Sequence, residues 1–335
     1  MTKAMPGKTH RADELVTVSG VSAHFAVRSG LLRRRTGTVK AVDGVDLVIR
    51  RGETLGLVGE SGCGKTTLAR TILGLRPADE GEVVFDGHVI SQLLPRDLKP
   101  LRRHMQLIFQ DPYASLDPHA TIGRSIRAGM DIHGIGRAAE RSAAVADMMT
   151  RVGLDPALAD RFPHEFSGGQ RQRVGIARAL VLNPQLVVCD EPVSALDVSI
   201  QSQILNLIKD LQADLGLTYL FVSHNLAVVE HVADRVAVMY LGRIVEIADR
   251  EALFGAPQHP YTQALLAAVP QPDPTRRRTE APLAGETPSP DVDYQGCRFR
   301  GRCPVAIDRC RTQEPELAGP LNGHRTACWR VADGL

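Results

Sequence analysis

GESGCGKT, residues Gly59 to Thr66, is the stretch whose reading decides the fold. It follows a short apolar run, TLGLVG, and opens a helical run from Lys65 to about Leu75. In that setting it fits G-x-x-x-x-G-K-[ST]. The glycines let backbone N–H groups curl around phosphates, and the helix N-terminus adds positive potential. Gly59, Glu60, Ser61, Gly62, Cys63, Gly64, Lys65, Thr66 and Thr67 are therefore expected to hold a nucleotide, with Lys65 on the β- and γ-phosphates. The Thr66 hydroxyl is expected to ligate Mg²⁺.

Working outward, LVVCDE (Leu186 to Glu191) reads as a buried strand that delivers Asp190 and Glu191 to its C-terminal edge, where α/β sheets place ligands. Asp190 suits the Mg²⁺ shell, and Glu191 suits a general base polarising the attacking water. Between these sites lies FSGGQRQRVGIARAL, in which Ser167, Gly168 and Gly169 precede a helix whose N-terminal amides can meet a second phosphate site. One nucleotide does not need two such sites from one chain. The economical arrangement is a dimer in which this helix faces the nucleotide held by the partner.

Apolar strands at Met105–Phe109, Leu186–Cys189 and Tyr219–Val222, with helical segments between, predict parallel βα units. LVTVSGVSAHF (15–25) and VKAVDGVDLVI (39–49) predict strands of an antiparallel sheet. Residues from about 120 to 182 are mostly helix-favouring. VAVMYLGRIVEIA (236–248) predicts a hairpin turning at Gly242-Arg243.

The motifs together resemble the ATP-binding subunit of an ABC transporter. SGGQ (Ser167, Gly168, Gly169, Gln170) matches the family signature, with Phe166 where Leu is commoner. Gln110 in LIFQD matches the Q-loop, Ser194-Ala195-Leu196-Asp197 the D-loop, and His224 in FVSHN the switch histidine. The resemblance covers residues ~15–250 and implies an α/β P-loop ATPase: a RecA-like core with an antiparallel β subdomain and a helical subdomain at about 112–182. It implies ATP and Mg²⁺ as ligands, catalytic roles for Glu191, His224 and Gln110, and contact of Gln110 with Mg²⁺ or the attacking water. The family's adenine-stacking aromatic has no counterpart in LLRRRTGTVKAV. Phe25, an arginine guanidinium or a partner residue are the alternatives.

Three further stretches resemble peptide importers: DPYASLDPHATIG after Gln110, HPYTQALLAAVP at His259 to Pro270, and GETPSP followed by a cysteine-bearing tail. The N-terminal insertion and LARTILGL resemble the second of the two ATPases such systems encode. The implied partners are a second ATPase subunit (a heterodimer, or a homodimer), two membrane permease subunits and an extracytoplasmic binding protein. The implied cargo is di- or oligopeptides; nickel chelates or other small solutes, or an iron–sulfur regulatory ATPase, are the alternatives. The implied place is the cytoplasmic face of the membrane, as a peripheral subunit.

Composition agrees with that class. The 335 residues are 43% hydrophobic and 23% charged, with a formal charge of +2, which excludes a broad nucleic-acid surface. Arg33-Arg34-Arg35 and Arg276-Arg277-Arg278 are expected in solvated loops. The N-terminus lacks an apolar leader, and no stretch reaches the ~18 apolar residues of a membrane span. The expected division is an ATP-binding domain at 1–255 and an extension at 256–335, with a proline-rich linker at 270–296.

Six cysteines in a chain read as cytosolic are not expected in disulfides. Four of them, Cys297, Cys303, Cys310 and Cys328, form a candidate ligand set without the close C-x₂₋₄-C pairs of structural zinc. A four-thiolate [4Fe–4S] cluster, zinc and unligated thiols are the three alternatives, and the resemblance implies the cluster. Arg298, Arg300, Arg302 and Arg309 are expected to offset its negative charge. His324 is an alternate ligand or a surface residue.

Overall fold

The computed structural model describes residues 13–29, 34–111, 113, 115–269, 294–320 and 323–334. The polar N-terminus, Arg33, Arg276 to Arg278 and most of the proline-rich linker lie outside them. The chain opens with strands β1 (Glu14–Ser29), β2 (Arg34–Arg50) and β3 (Thr54–Val58), then helix α1 (Lys65–Ile72). There follow β4 (Glu80–Phe85), β5 (His88–Val89), α2 (Pro95–Arg102) and β6 (Met105–Ile108). Helices α3 (Ile122–His133), α4 (Ala138–Arg151) and α5 (Gly168–Leu180) form the helical stretch. Then β7 (Leu186–Asp190), α6 (Val198–Leu215), β8 (Thr218–Ser223), α7 (Leu226–Val232), β9 (Arg235–Tyr240) and β10 (Arg243–Asp249) alternate. The chain continues through α8 (Arg250–Gly255) and α9 (Pro260–Ala267) to α10 (Arg309–Thr312), β11 (Arg325–Thr326) and α11 (Trp329–Ala332).

Seven strands form the main sheet in the order β11-β10-β9-β3-β8-β7-β6. The pairs from β9 through β3, β8 and β7 to β6 are parallel. Strands β3, β7, β8 and β9 are buried along their whole length, which is why they read as continuous apolar runs. Their side chains still alternate between two cores. Leu55, Leu57, Leu186, Val188, Leu220 and Val222 pack with α1 and the second sheet, whereas Val187, Cys189, Tyr219 and Phe221 pack with the helical stretch on the other face. The second sheet has the order β2-β1-β4-β5 and is antiparallel.

Three local expectations shift. Strands β1 and β2 run longer than their apolar cores, so Arg34 and Arg35 lie in a strand rather than a loop. The hairpin turns at Leu241-Gly242, one residue earlier than expected. Both residues have positive φ, 42° and 84°, as a tight primed turn requires. The last described residues are not a free-standing unit. β11 extends the main sheet, pairing Glu246 with Thr326 and Ile247 with Arg325, and Phe299 is buried in the main core.

Candidate functional site

Strand β3 ends at the phosphate loop, whose surroundings leave no room for a side chain at Gly59 or Gly64. Gly64 has φ 110°, and a Cβ there would stand 1.9 Å from the Ala41 carbonyl oxygen; one at Gly59 would stand 2.2 Å from that of Met239. Lys65 is buried, and its Nζ donates to the carbonyls of Gly59 at 2.7 Å and Glu60 at 2.9 Å. The ammonium thus lies folded back along the loop. Thr66 Oγ1 donates to Asp190 Oδ1 at 2.9 Å. A hydroxyl beside a carboxylate is the oxygen donor set that suits Mg²⁺. Burial pushes the Asp190 carboxyl up, against the hydrogen bond from Thr66 and the charge of Arg70.

A cleft at the mouth of the loop is lined by Ser61, Gly62, Gly64, Lys65, Thr66, Thr67, Ala41, Gln110, Glu191 and His224. The sequence-predicted groups converge here from β3, β6, β7 and β8. Glu191 is their centre: its Oε1 lies 3.0 Å from His224 Nδ1, and its Oε2 accepts from Gln110 Nε2 at 2.9 Å. Its backbone has φ 50°, a left-handed conformation that aims the side chain off the end of β7. Such a carboxylate, held on both oxygens, can order a water molecule and take its proton.

Ser167 caps α5, accepting from the Gln170 N–H while the Gln170 side chain accepts from the Ser167 N–H. Ser167 to Gln170 do not line the cleft of this chain. Gly169 is packed closely, since a Cβ there would meet Ile200 at 2.7 Å. In the D-loop, Ser194 Oγ donates to the Glu191 carbonyl at 3.0 Å, Ala195 is exposed, Leu196 is half-buried and Asp197 precedes α6. Tyr113, after Gln110, lies under the Arg171 guanidinium of α5 at 4.0 Å; Pro112 and Ala114 lie outside the described residues. Phe25 stands opposite Val39 in β1–β2, two residues from Ala41 of the cleft, with Arg76 over one ring face at 3.8 Å.

Cys297, Cys303, Cys310 and Cys328 line one pocket with His259, Phe299 and Trp329. In kind the donors fit a four-thiolate centre. In position they are not a closed ligand set: among the described residues no group of three or more His, Cys, Asp or Glu stands ready to hold a metal. Burial pushes the Cys297 thiol up to about 12, and the other three sulfurs add to it. Ligation would therefore displace protons. All six cysteines are free of disulfides.

The arginines do not surround the thiols as expected. Arg298 pairs with Asp43 and Glu314, and Arg302 with Glu60. Arg300 donates to the Gln295 carbonyl, and Arg309 lies over the Trp329 ring. Carboxylates and carbonyls nearby engage these guanidinium groups, although Arg302 Nε is buried with no hydrogen-bond partner among the described residues, and Arg330 is the arginine that lines the cysteine pocket. His324 is neither a ligand nor a free surface group. Its Nε2 lies 2.5 Å from Glu246 Oε1, and Glu246 is fully buried. Sequence reading missed Glu246, a lone acid in an apolar strand, and the contact of Tyr261 with the phosphate loop; it singled out Arg302 for the thiols, whereas the guanidinium pairs with Glu60.

Sheet order, phosphate loop and strand-end carboxylates define the class: a P-loop nucleotide-binding cassette. The ABC transporter family model matches residues 42–194, and the model for the oligopeptide/dipeptide transporter C-terminal region matches residues 245–310. The chain is 52% identical over 316 residues to a putative peptide import ATP-binding protein of Brucella ovis, covering 94% of this chain and 98% of the relative. It is 49% identical over 322 residues to the oligopeptide transport ATP-binding protein AppF of Bacillus subtilis, covering 94% and 97%. The dimeric post-hydrolysis structure of the ATP-binding cassette MJ0796 bound to ADP and Pi superposes with TM-score 0.63 at 28% identity, covering 70% of this chain and 99% of that one. This chain belongs to the ATP-binding proteins of ABC transporters, in the oligopeptide/dipeptide transporter family, and is an ABC-type ATPase. No helix of the described residues is long and apolar enough to cross a membrane.

Proposed function

We propose that this chain is the ATP-hydrolysing subunit that powers peptide import, acting at the cytoplasmic face of the membrane with two permease subunits, an extracytoplasmic binding protein and a second ATPase subunit. The observation that carries the ATPase reading is Glu191, held between Gln110 and His224 at the mouth of the phosphate loop. Lys65 and the loop amides bind the phosphates. Thr66 and Asp190 would hold Mg²⁺, which would supply positive charge to the phosphates. Glu191 takes the proton of the attacking water, while Gln110 and His224 orient it and sense the γ-phosphate. That Ser167 to Gln170 do not line this chain's cleft supports a composite site, completed by the partner's signature helix. Phe25, beside Ala41 and with one ring face left to solvent, is the adenine platform.

The match of residues 245–310 to the peptide-transporter C-terminal region supports peptides as cargo. Convergence of four cysteines on one pocket supports a structural [4Fe–4S] centre, with zinc as the alternative. The proposed division is an ATP-binding domain at 1–255 and an extension at 256–335; the C-terminal match begins somewhat earlier, at residue 245.

In a complex reconstituted with its permeases, Glu191→Gln is expected to bind ATP within about threefold of wild type and to lose turnover by about 100-fold or more. Near-wild-type hydrolysis would remove Glu191 as the base. Peptide with the binding protein is expected to stimulate hydrolysis by the wild-type complex; stimulation by another solute class and not by peptides overturns the cargo.

A further inference from the structure

Glu60 is the second residue of the phosphate loop, next to Ser61 and Gly62 of the nucleotide cleft. A carboxylate is an unwelcome neighbour for a triphosphate, and nothing in the G-x-x-x-x-G-K-[ST] pattern asks for one. Its surroundings show how it is accommodated. Both Glu60 oxygens accept from Arg302, Nη1 to Oε2 at 2.8 Å and Nη2 to Oε1 at 2.9 Å. The pair is sheltered, with the Arg302 side chain 7% exposed and that of Glu60 22% exposed.

The same residue is held at two more points. Its backbone N–H donates to Tyr261 Oη at 2.9 Å, and its carbonyl accepts from Lys65 Nζ. Tyr261 is fully buried and packs with Tyr240 and Phe299, at ring-centroid distances of 4.6 and 5.4 Å. Arg302 and Phe299 belong to the cysteine-bearing stretch, and Tyr261 to α9. A segment more than 200 residues downstream thus grips the phosphate loop through one side chain and one backbone N–H.

We propose that Arg302 is a positioning residue of the ATP site. It neutralises Glu60 and fixes the first half of the phosphate loop, so that nucleotide affinity depends on the docked C-terminal segment. A bidentate guanidinium–carboxylate pair holds orientation as well as charge. Removing the guanidinium takes away the bidentate pair that holds the sheltered Glu60 carboxylate and, with it, the first half of the phosphate loop. The inference rests on the ATP site described above.

The test is nucleotide affinity of the full-length purified chain, read by titration with a fluorescent ATP analogue. Arg302→Met keeps the apolar stem beside Tyr240, and its Kd is expected to rise about tenfold. Arg302→Lys keeps the charge without the fork and is expected to rise about threefold; it carries the test if Arg302→Met does not fold. Adding Glu60→Gln to Arg302→Met is expected to recover most of the loss, because the side chain that has lost its guanidinium partner is then neutral. Wild-type affinity in Arg302→Met and Arg302→Lys overturns the proposal. So does failure of Glu60→Gln to rescue, which makes Arg302 a stability element alone. Lys65→Ala serves as the control: wild-type affinity there overturns the ATP site itself, and this proposal with it.

Discussion

At the scale of single residues, the site is a set of short polar bonds whose donors lie far apart in the chain. Glu191 meets Gln110 across 81 residues and His224 across 33. Both oxygens of this carboxylate are thus oriented, which for the general base proposed above lowers the reorganisation that hydrolysis demands. Phe25 carries a prediction of its own. Base–aromatic stacking is worth about 1–3 kcal/mol, so Phe25→Ala is expected to raise KM for ATP about tenfold. Turnover at saturating ATP should stay within about twofold, because Phe25 is not among the residues that line the phosphate cleft. An unchanged KM would give the adenine to another group, with Arg76, already stacked on that ring, the first to test.

At the scale of elements, β10 and α9 are joined by a buried charge. Glu246 is fully buried in mid-strand and accepts from the N–H groups of Gln258 at 2.6 Å and His259 at 3.1 Å, just before α9 begins. His324, immediately before β11, approaches the same carboxylate. His259 in turn accepts from the Tyr261 N–H as the cap of α9, and burial holds its imidazole neutral, with a pKa lowered to about 4. One carboxylate thus satisfies the start of a helix and fixes the approach of the last strand. Glu246→Ala leaves those donors unpaired in the interior, a loss of about 3 kcal/mol. The expected result is a melting temperature several degrees lower with the ATP cleft intact. A melting curve that matches wild type would show that water replaces the carboxylate.

At the scale of the molecule, two cores on the faces of one sheet carry the cassette, and the C-terminal segment joins it by strand addition, by Phe299 and by arginine–carboxylate pairs. Ordering so small a segment is the kind of task a metal centre performs well. Protein purified without oxygen is expected to be brown, with about four iron and four sulfide per chain. Colourless protein with one zinc per chain would assign the pocket to zinc, and metal-free protein with the same melting temperature would leave four packed thiols.

Much of this was written locally. The strand–loop–helix around Lys65, the buried strands ending at Asp190 and Ser223, and the capped helix after Phe166 follow from apolar runs, glycine placement and capping side chains. Those signals act within a few residues, so GESGCGKT, LVVCDE and SGGQ could be read without a structure. The partner of Glu60 could not, because Arg302 lies 242 residues away and its approach depends on how Phe299, Tyr240 and Tyr261 pack. The same holds for Glu246, a lone acid in an apolar strand until the turn before α9 closes over it. Even the hairpin turn moved by one residue, since the phosphate loop holds Gly242 through a bond to the Cys63 carbonyl. Sequence determined the cassette, its nucleotide cleft and the cysteine set. Only the tertiary structure decided that Arg298 and Arg302 turn towards the cassette, because long-range charge pairing depends on packing that no local pattern encodes.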